Sequence, residues 1–297
     1  MYPFYIPSIY RHDSEFLIKI RDASPPIKYF IIIASHQYEN YAKNFPSDRL
    51  VVLPRSIIKI SEIRQYILEL ARQNKETKIW MSDDDLSKFF IKKPIKSTTN
   101  STTSTSDYEL KPIEKSNDVS DGDENNSSNH KLVEVPFIDY IYCAEKIFNK
   151  LSFLDRSIVQ FGFKYSTFAI PAKPITLNTN IGMIQLLDIE KCGLNINYDR
   201  SFTTLEDTDF TVQLLENKLK SCQLNHYIFT APKSGSGKGG LENEYLNGAK
   251  QKGMYQFLNK YPNLMEIINI TDGKYKIKWN NFKDLESEKR LVEDMNQ

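Results

Sequence analysis

The chain of 297 residues has few of the features that would tie it to an export route, a membrane or a thiol-based site. Its three cysteines, Cys143, Cys192 and Cys222, are odd in number and far apart, so no disulfide framework or zinc spacing can be built from them. No apolar run nears the roughly 20 residues that span a bilayer; Tyr29 to Ala34 is typical of the longest. The start, Met1-Tyr2-Pro3-Phe4, lacks the charged and apolar regions of a secretory signal, and nucleus or cytoplasm is the expected location. The four histidines are scattered, and no Ser/His/Asp or Cys/His set can be assembled from them. Within this group His226 reads as a core residue ahead of a third metal ligand. There is no internal repeat. The net charge of +1 gives no global basic field to announce nucleic acid or membrane. The charge is unevenly spread, however. Residues 1–96 hold 16 Lys/Arg against 11 Asp/Glu (net +5), and residues 97–131 hold 3 against 7 (net −4).

What is present is acid in two knots. The run Lys78-Ile79-Trp80-Met81-Ser82 ends in three adjacent carboxylates, Asp83, Asp84 and Asp85. Like charges so crowded repel, and a divalent cation carrying phosphate oxygens offsets that repulsion. Asp83 and Asp85, two apart on an extended segment, lie on one side and can face one cation, while Asp84 points away. The competing reading is a solvated acidic turn. A second knot, Glu206-Asp207-Thr208-Asp209, opens a helix and can supply a general base, although helix capping alone would explain it.

Strand and helix signals alternate through residues 1–96. Phe4 to Pro7, Lys28 to Ala34, Arg49 to Leu53 and Lys78 to Met81 read as strands. Gln37 to Phe45 reads as a helix, and Ser61 as the N-cap of another whose stripe is Ile63, Tyr66, Ile67 and Leu70. This pattern predicts an α/β fold with a mostly parallel sheet flanked by helices, whose ligands bind at the carboxyl ends of the strands. Asp83 to Asp85 sit at such an end. Residues 97–131, rich in Ser, Thr, Asn and acid, read as a disordered insertion. Residues 132–297 resume with a helix around Ile138 to Phe148, strands at Ile158 to Phe163, Ile181 to Leu187 and Cys222 to Phe229, and a helix from Asp209 to Leu219. A helix from about Asn243 to Asn259 and two short strands close the chain. The loop Lys233-Ser234-Gly235-Ser236-Gly237-Lys238-Gly239-Gly240 fails as a Walker A motif, because Gly239 follows Lys238 where Ser or Thr is needed.

In this order the residues resemble the TET/JBP-associated glycosyltransferase family, a branch of the GT-A-fold enzymes. The match runs through Tyr5-Ile6-Pro7-Ser8 with Arg11, Gln37-Tyr38 with Tyr41, Leu50 to Pro54 and Ile63-Arg64-Gln65. It continues through Trp80-Met81-Ser82-Asp83-Asp84-Asp85, Leu177-Asn178-Thr179, Glu206-Asp207-Thr208-Asp209, and the loop with Lys233, Gly239-Gly240 and Tyr245. Asn180 stands where that family often has Arg. The resemblance implies a GT-A-like Rossmann-type fold, in which residues 1–96 bind the nucleotide sugar and residues 132–297 complete the acceptor side of the same domain. It implies a UDP-sugar donor, UDP-glucose first among them, with Mg²⁺ or Mn²⁺. By the same likeness Asp83 and Asp85 bind the metal, and Pro7, Ser8, Arg11, Gln37, Arg64, Asp84 and Lys233 hold the donor. Asp207, with Glu206 and Asp209, supplies the catalytic carboxylates. The implied acceptor is a hydroxymethylated pyrimidine in DNA; a protein hydroxyl, or a binding module without activity, are the alternatives.

Overall fold

A computed structural model of the chain describes residues 1–94, 130–167, 173–232, 248–271 and 273–295. Four strands of the first half, β1 (Phe4–Pro7), β2 (Tyr29–Ala34), β3 (Leu50–Leu53) and β4 (Lys78–Ser82), lie side by side in the order β3-β2-β1-β4 and all run parallel. These are the β-branched and aromatic runs that the sequence marks as strands, buried on both faces. Side chains alternate: Phe4 and Ile6 enter one core, and Tyr5 the other.

The second half joins through β9 (Ile184–Asp188), which is antiparallel to β4, with Trp80 opposite Leu186. Beyond it the sheet continues as β7 (Ile158–Tyr165), β10 (Lys220–Phe229), β5 (Phe89–Pro94) and β6 (His130–Glu134), while β8 (Ile175–Leu177) pairs with β10. The β5/β6 pair sets Lys93 opposite Lys131. Lys131 therefore belongs to a strand and not to the expected insertion; residues 95–129 lie outside the described residues.

Helices cover both faces. Helices α1 (Glu15–Arg21) and α4 (Phe137–Leu154) pack against Phe4, Trp80, Phe161 and Phe163. Trp80 is fully buried, stacks on Phe4 and Phe163, and donates its indole N–H to Glu145 at 2.8 Å. On the other face α3 (Ile60–Gln73), the short α5 (Ile189–Cys192) and α6 (Glu206–Glu216) cover Tyr5, Ile32, Ile79 and Leu187. The helix expected from Gln37 is confined to α2 (Tyr38–Ala42) after a short 3₁₀ turn. A smaller cluster ties α7 (Ala249–Lys260) and the hairpin β11 (Met265–Asn269) and β12 (Lys274–Ile277) to Phe202 and Val212.

Three local expectations are corrected. Ser61 is not the N-cap of α3. It is fully buried and donates to the Phe202 carbonyl at 2.6 Å, while Glu62 reaches back to the Ile58 and Lys59 N–H groups. The most buried face of α3 is Ser61, Arg64, Gln65, Ile67, Leu68 and Ala71, so the helix turns a guanidinium inward where Ile63, Tyr66 and Leu70 were expected. The chain also closes on a helix, α8 (Leu285–Met295), after the hairpin.

Candidate functional site

The carboxyl ends of β1 and β4 carry Ser8 to Arg11 and Asp83 to Asp85. Asp84 is 4% exposed and is fixed from the first half: Ser8 Oγ donates to it at 2.5 Å and Arg11 Nη1 at 2.6 Å. Ser14, the N-cap of α1, donates to the Asp84 carbonyl. Tyr41 closes the network, with its hydroxyl 2.7 Å from Ser8 Oγ and accepting from the Arg11 N–H at 3.1 Å. Asp84 and Ser8, expected to touch the donor, are thus taken up in holding Arg11. The same Arg11 nitrogen lies 3.0 Å from Asp85. Burial lowers the Arg11 pKa, but Asp84 and Asp85 outweigh it and the guanidinium is held charged.

Asp83 is reached from α3. Arg64 Nη2 lies 3.0 Å from Asp83 Oδ1, and Arg64 Nη1 lies 3.3 Å from Glu206 Oε1 at the start of α6. Burial and the neighbouring acids raise both carboxyls against the opposing pull of Arg64, Asp83 to about 6 and Glu206 to about 7. The Asp83 side chain is 29% exposed, so solvent screens part of its shift, whereas Glu206 is 8% exposed. Asp85 is raised by burial too, and among the described residues its buried Oδ1 has no hydrogen-bond partner.

The second half meets this edge through one turn. Asp83 N–H donates to the Met183 carbonyl at 2.6 Å. Next to it, a Cβ on Gly182 would stand 2.8 Å from Asp207 Oδ2. Asp207 Oδ1 accepts from the Thr208 N–H at 2.7 Å, and Asn180 Nδ2 donates to Asp207 Oδ2 at 3.3 Å. Tyr10, Asn178, Met183 and Leu205 all adopt left-handed backbone conformations, and such strain clusters where side chains must be aimed.

The expected residues separate into groups. Asp83, Asp85, Arg11 and Arg64 gather at the sheet edge, with Glu206 joined to them through Arg64. Asp207 lies beside them across the 182–183 turn. Asp209 does not face this edge. It is fully buried and bound by Tyr261 at 2.8 Å, Gln213 at 2.7 Å and Lys260 at 2.7 Å. Gln37 is buried and accepts from the Tyr10 N–H at 2.7 Å, which leaves the exposed Tyr10 ring at the edge beside His36. Pro7 ends β1 opposite Ile32. Lys233 and its Gly-rich loop lie outside the described residues. Sequence reasoning marked Tyr41 within the resemblance but gave it no role, and it did not find Gly182 or Tyr10, which only the fold brings to the edge.

Among the described residues no three His, Cys, Asp or Glu side chains converge as a metal cluster. The donors at hand are two aspartates, one with an orphaned buried oxygen. Hard oxygen ligands of this kind, completed by diphosphate oxygens, suit Mg²⁺ or Mn²⁺.

Residues 2–121 match the family model described as TET-Associated Glycosyltransferase. Among solved structures, S. aureus TarS 1–349 in complex with UDP is similar at 11% identity and a TM-score of 0.40, over 87% of this chain. The chain spans 66% of that structure's length. No curated protein matches the sequence. Among the described residues no helix is long and apolar enough to cross a membrane.

Proposed function

We propose that the protein transfers a sugar, glucose first among candidates, from a UDP-sugar to the hydroxyl of a hydroxymethylated pyrimidine in DNA by a single inverting displacement. The observation that carries the reaction type is the 182–183 turn, which sets Asp207 next to the Asp83 side of the sheet edge. The choice of acceptor rests on the family match and on the ordered motifs.

Asp83 and Asp85 would hold Mg²⁺ or Mn²⁺, which when bound neutralises the charge of the leaving diphosphate. Arg11 and Arg64 stay charged beside the same diphosphate and hold the two carboxylates in place. Asp207 takes the proton of the acceptor hydroxyl as its oxygen bonds to the anomeric carbon. The bond from that carbon to the phosphate oxygen breaks, and UDP departs with the electron pair. Asp207 suits this task because it is only half-buried and, among the described residues, its Oδ2 is held by the 3.3 Å contact from Asn180 alone.

The test is UDP release from UDP-glucose with Mn²⁺, using hydroxymethylcytosine DNA, unmodified DNA and denatured cell protein as acceptors. Turnover with hydroxymethyl-DNA alone is the expected result. Labelling of protein but not DNA would move the acceptor to a protein hydroxyl.

A further inference from the structure

Beneath the site four buried polar side chains run in file: Tyr198, Gln185 on β9, Gln160 on β7 and Thr211 on α6. Buried polar groups are costly unless paired, and these are paired end to end. Gln185 Nε2 donates to Tyr198 Oη at 2.8 Å, and Gln160 Nε2 donates to Gln185 Oε1 at 2.8 Å. An amide has its donors at one end and its acceptor at the other. The file therefore has one polarity and presents Gln160 Oε1 to the Thr211 hydroxyl, 3.0 Å away.

That hydroxyl has a single proton, and it is shared with two further acceptors, the Asp207 carbonyl at 3.0 Å and Asn180 Oδ1 at 3.4 Å. It meets Asn180 at the oxygen end of the amide, and the nitrogen end reaches Asp207 Oδ2. Asn180 thus lies between a hydroxyl fixed from below and the carboxylate above. Nothing in the 177–180 segment alone would dictate this. Asn178 there is turned instead to the Phe282 carbonyl, at 2.7 Å.

We propose that Asn180 is a positioning residue for Asp207, and that Thr211, held by the buried Gln160–Gln185–Tyr198 file, orients Asn180. The inference rests on the reading that Asp207 takes the acceptor proton. Asn180 holds one carboxylate oxygen while the Thr208 N–H holds the other, which sets the plane of the carboxylate relative to the incoming hydroxyl. Thr211 also touches the Asp207 carbonyl, and the part of its effect that runs through Asn180 is the part that disappears when Asn180 is Ala.

The experiment is a double-mutant cycle on kcat with UDP-glucose, Mn²⁺ and hydroxymethylcytosine DNA, alongside UDP affinity. Asn180→Ala should lower kcat about tenfold or more with UDP affinity unchanged, since a small misplacement of a reacting group is costly. Thr211→Val should lower kcat several-fold, Thr211→Ser should restore it, and Thr211→Val should cost less once Asn180 is Ala. Equal effects of Thr211→Val in both backgrounds would overturn the coupling, and native kcat in Asn180→Ala would overturn the positioning role whether or not Thr211→Val folds. A readout independent of turnover is the side-chain amide NMR signal pair of Asn180. It should move in Thr211→Val and return in Thr211→Ser; an unmoved pair refutes the orientation by Thr211. If Asp207→Asn keeps native turnover, the base reading itself fails. If Asp207→Asn is inactive while Asn180→Ala is native, only the present inference fails.

Discussion

Arg64 joins Asp83 of the first half to Glu206 of the second, with one guanidinium nitrogen 3.0 Å from the former and another 3.3 Å from the latter. Removing it leaves two crowded acids without their shared counter-ion. Arg64→Met is expected to cost about 3–5 kcal/mol of stability, the range for breaking a buried pair from one side. Urea unfolding checks this. Arg64→Lys should recover only part of the loss, because one ammonium cannot reach both acids as a planar fork does.

The pH dependence of the unliganded protein follows from the same acids. Glu206 is raised to about 7 and Asp83 to about 6, above their ordinary values near 4. The folded state then binds more protons than the unfolded one between those limits, so stability falls as pH rises through about 4.5 to 7. Thermal melts should show a lower Tm at pH 8 than at pH 5.5. Glu206→Gln should flatten the slope; an unchanged slope would mean that Glu206 is ionised throughout.

Metal dependence is read at Asp83 and Asp85. Mn²⁺ with UDP should raise the Tm of the native chain, and more at pH 8 than at pH 5.5, since carboxylates ligate when ionised. Asp83→Asn/Asp85→Asn is expected to abolish the Mn²⁺-dependent part of the shift. A full shift in that variant would remove both residues from the metal site.

Gly182 leaves room for the Asp207 carboxylate. A methyl group there would meet Asp207 Oδ2 at 2.8 Å, closer than real contacts allow. Gly182→Ala should displace the carboxylate and lower kcat by about 100-fold, the scale for a misplacement near 1 Å. Donor affinity measured by titration with UDP should change far less than kcat.

Asp209 should respond in the opposite way. With Tyr261, Gln213 and Lys260 bound to it, Asp209→Asn is expected to cost about 1–3 kcal/mol of stability through unsatisfied partners. The kcat of the folded fraction should stay near native. A large fall in kcat at native stability would return Asp209 to the catalytic set.

The sequence carried the first half of the fold well and the second half less evenly. Strands such as Phe-Ile-Ile-Ile at Phe30 to Ile33 are legible because buried parallel strands are continuous apolar runs. The β5/β6 pair was not legible. Lys92, Lys93 and Lys131 interrupt any alternation, and the two strands flank the low-complexity segment. Helix α8 was missed because among its buried positions is Glu288, which accepts from the Leu177 N–H and Lys173. Arg64 was readable by resemblance, but its burial was not, since a helix face containing Ser, Arg and Gln looks solvated in sequence.

The second acidic knot shows why motif reading grouped too much. Residues two apart on an α-helix are rotated by about 200°, so Asp207 and Asp209 must leave opposite sides of α6. One reaches the sheet edge and the other the α7 side. The same two-residue spacing means something else at Asp83 and Asp85, where the chain is not helical.

The antiparallel seam between β4 and β9 bears on the order in which the protein takes shape. Trp80 cannot find Leu186, nor Asp83 the Met183 carbonyl, until most of the chain has been made. Closing a loop of that length comes late and is slow relative to local structure. A nascent chain that has emerged as far as β4 therefore holds its acids and guanidinium groups but has neither Glu206 nor Asp207. The acid-bearing edge and Asp207 therefore cannot come together before β9 and α6 have been made.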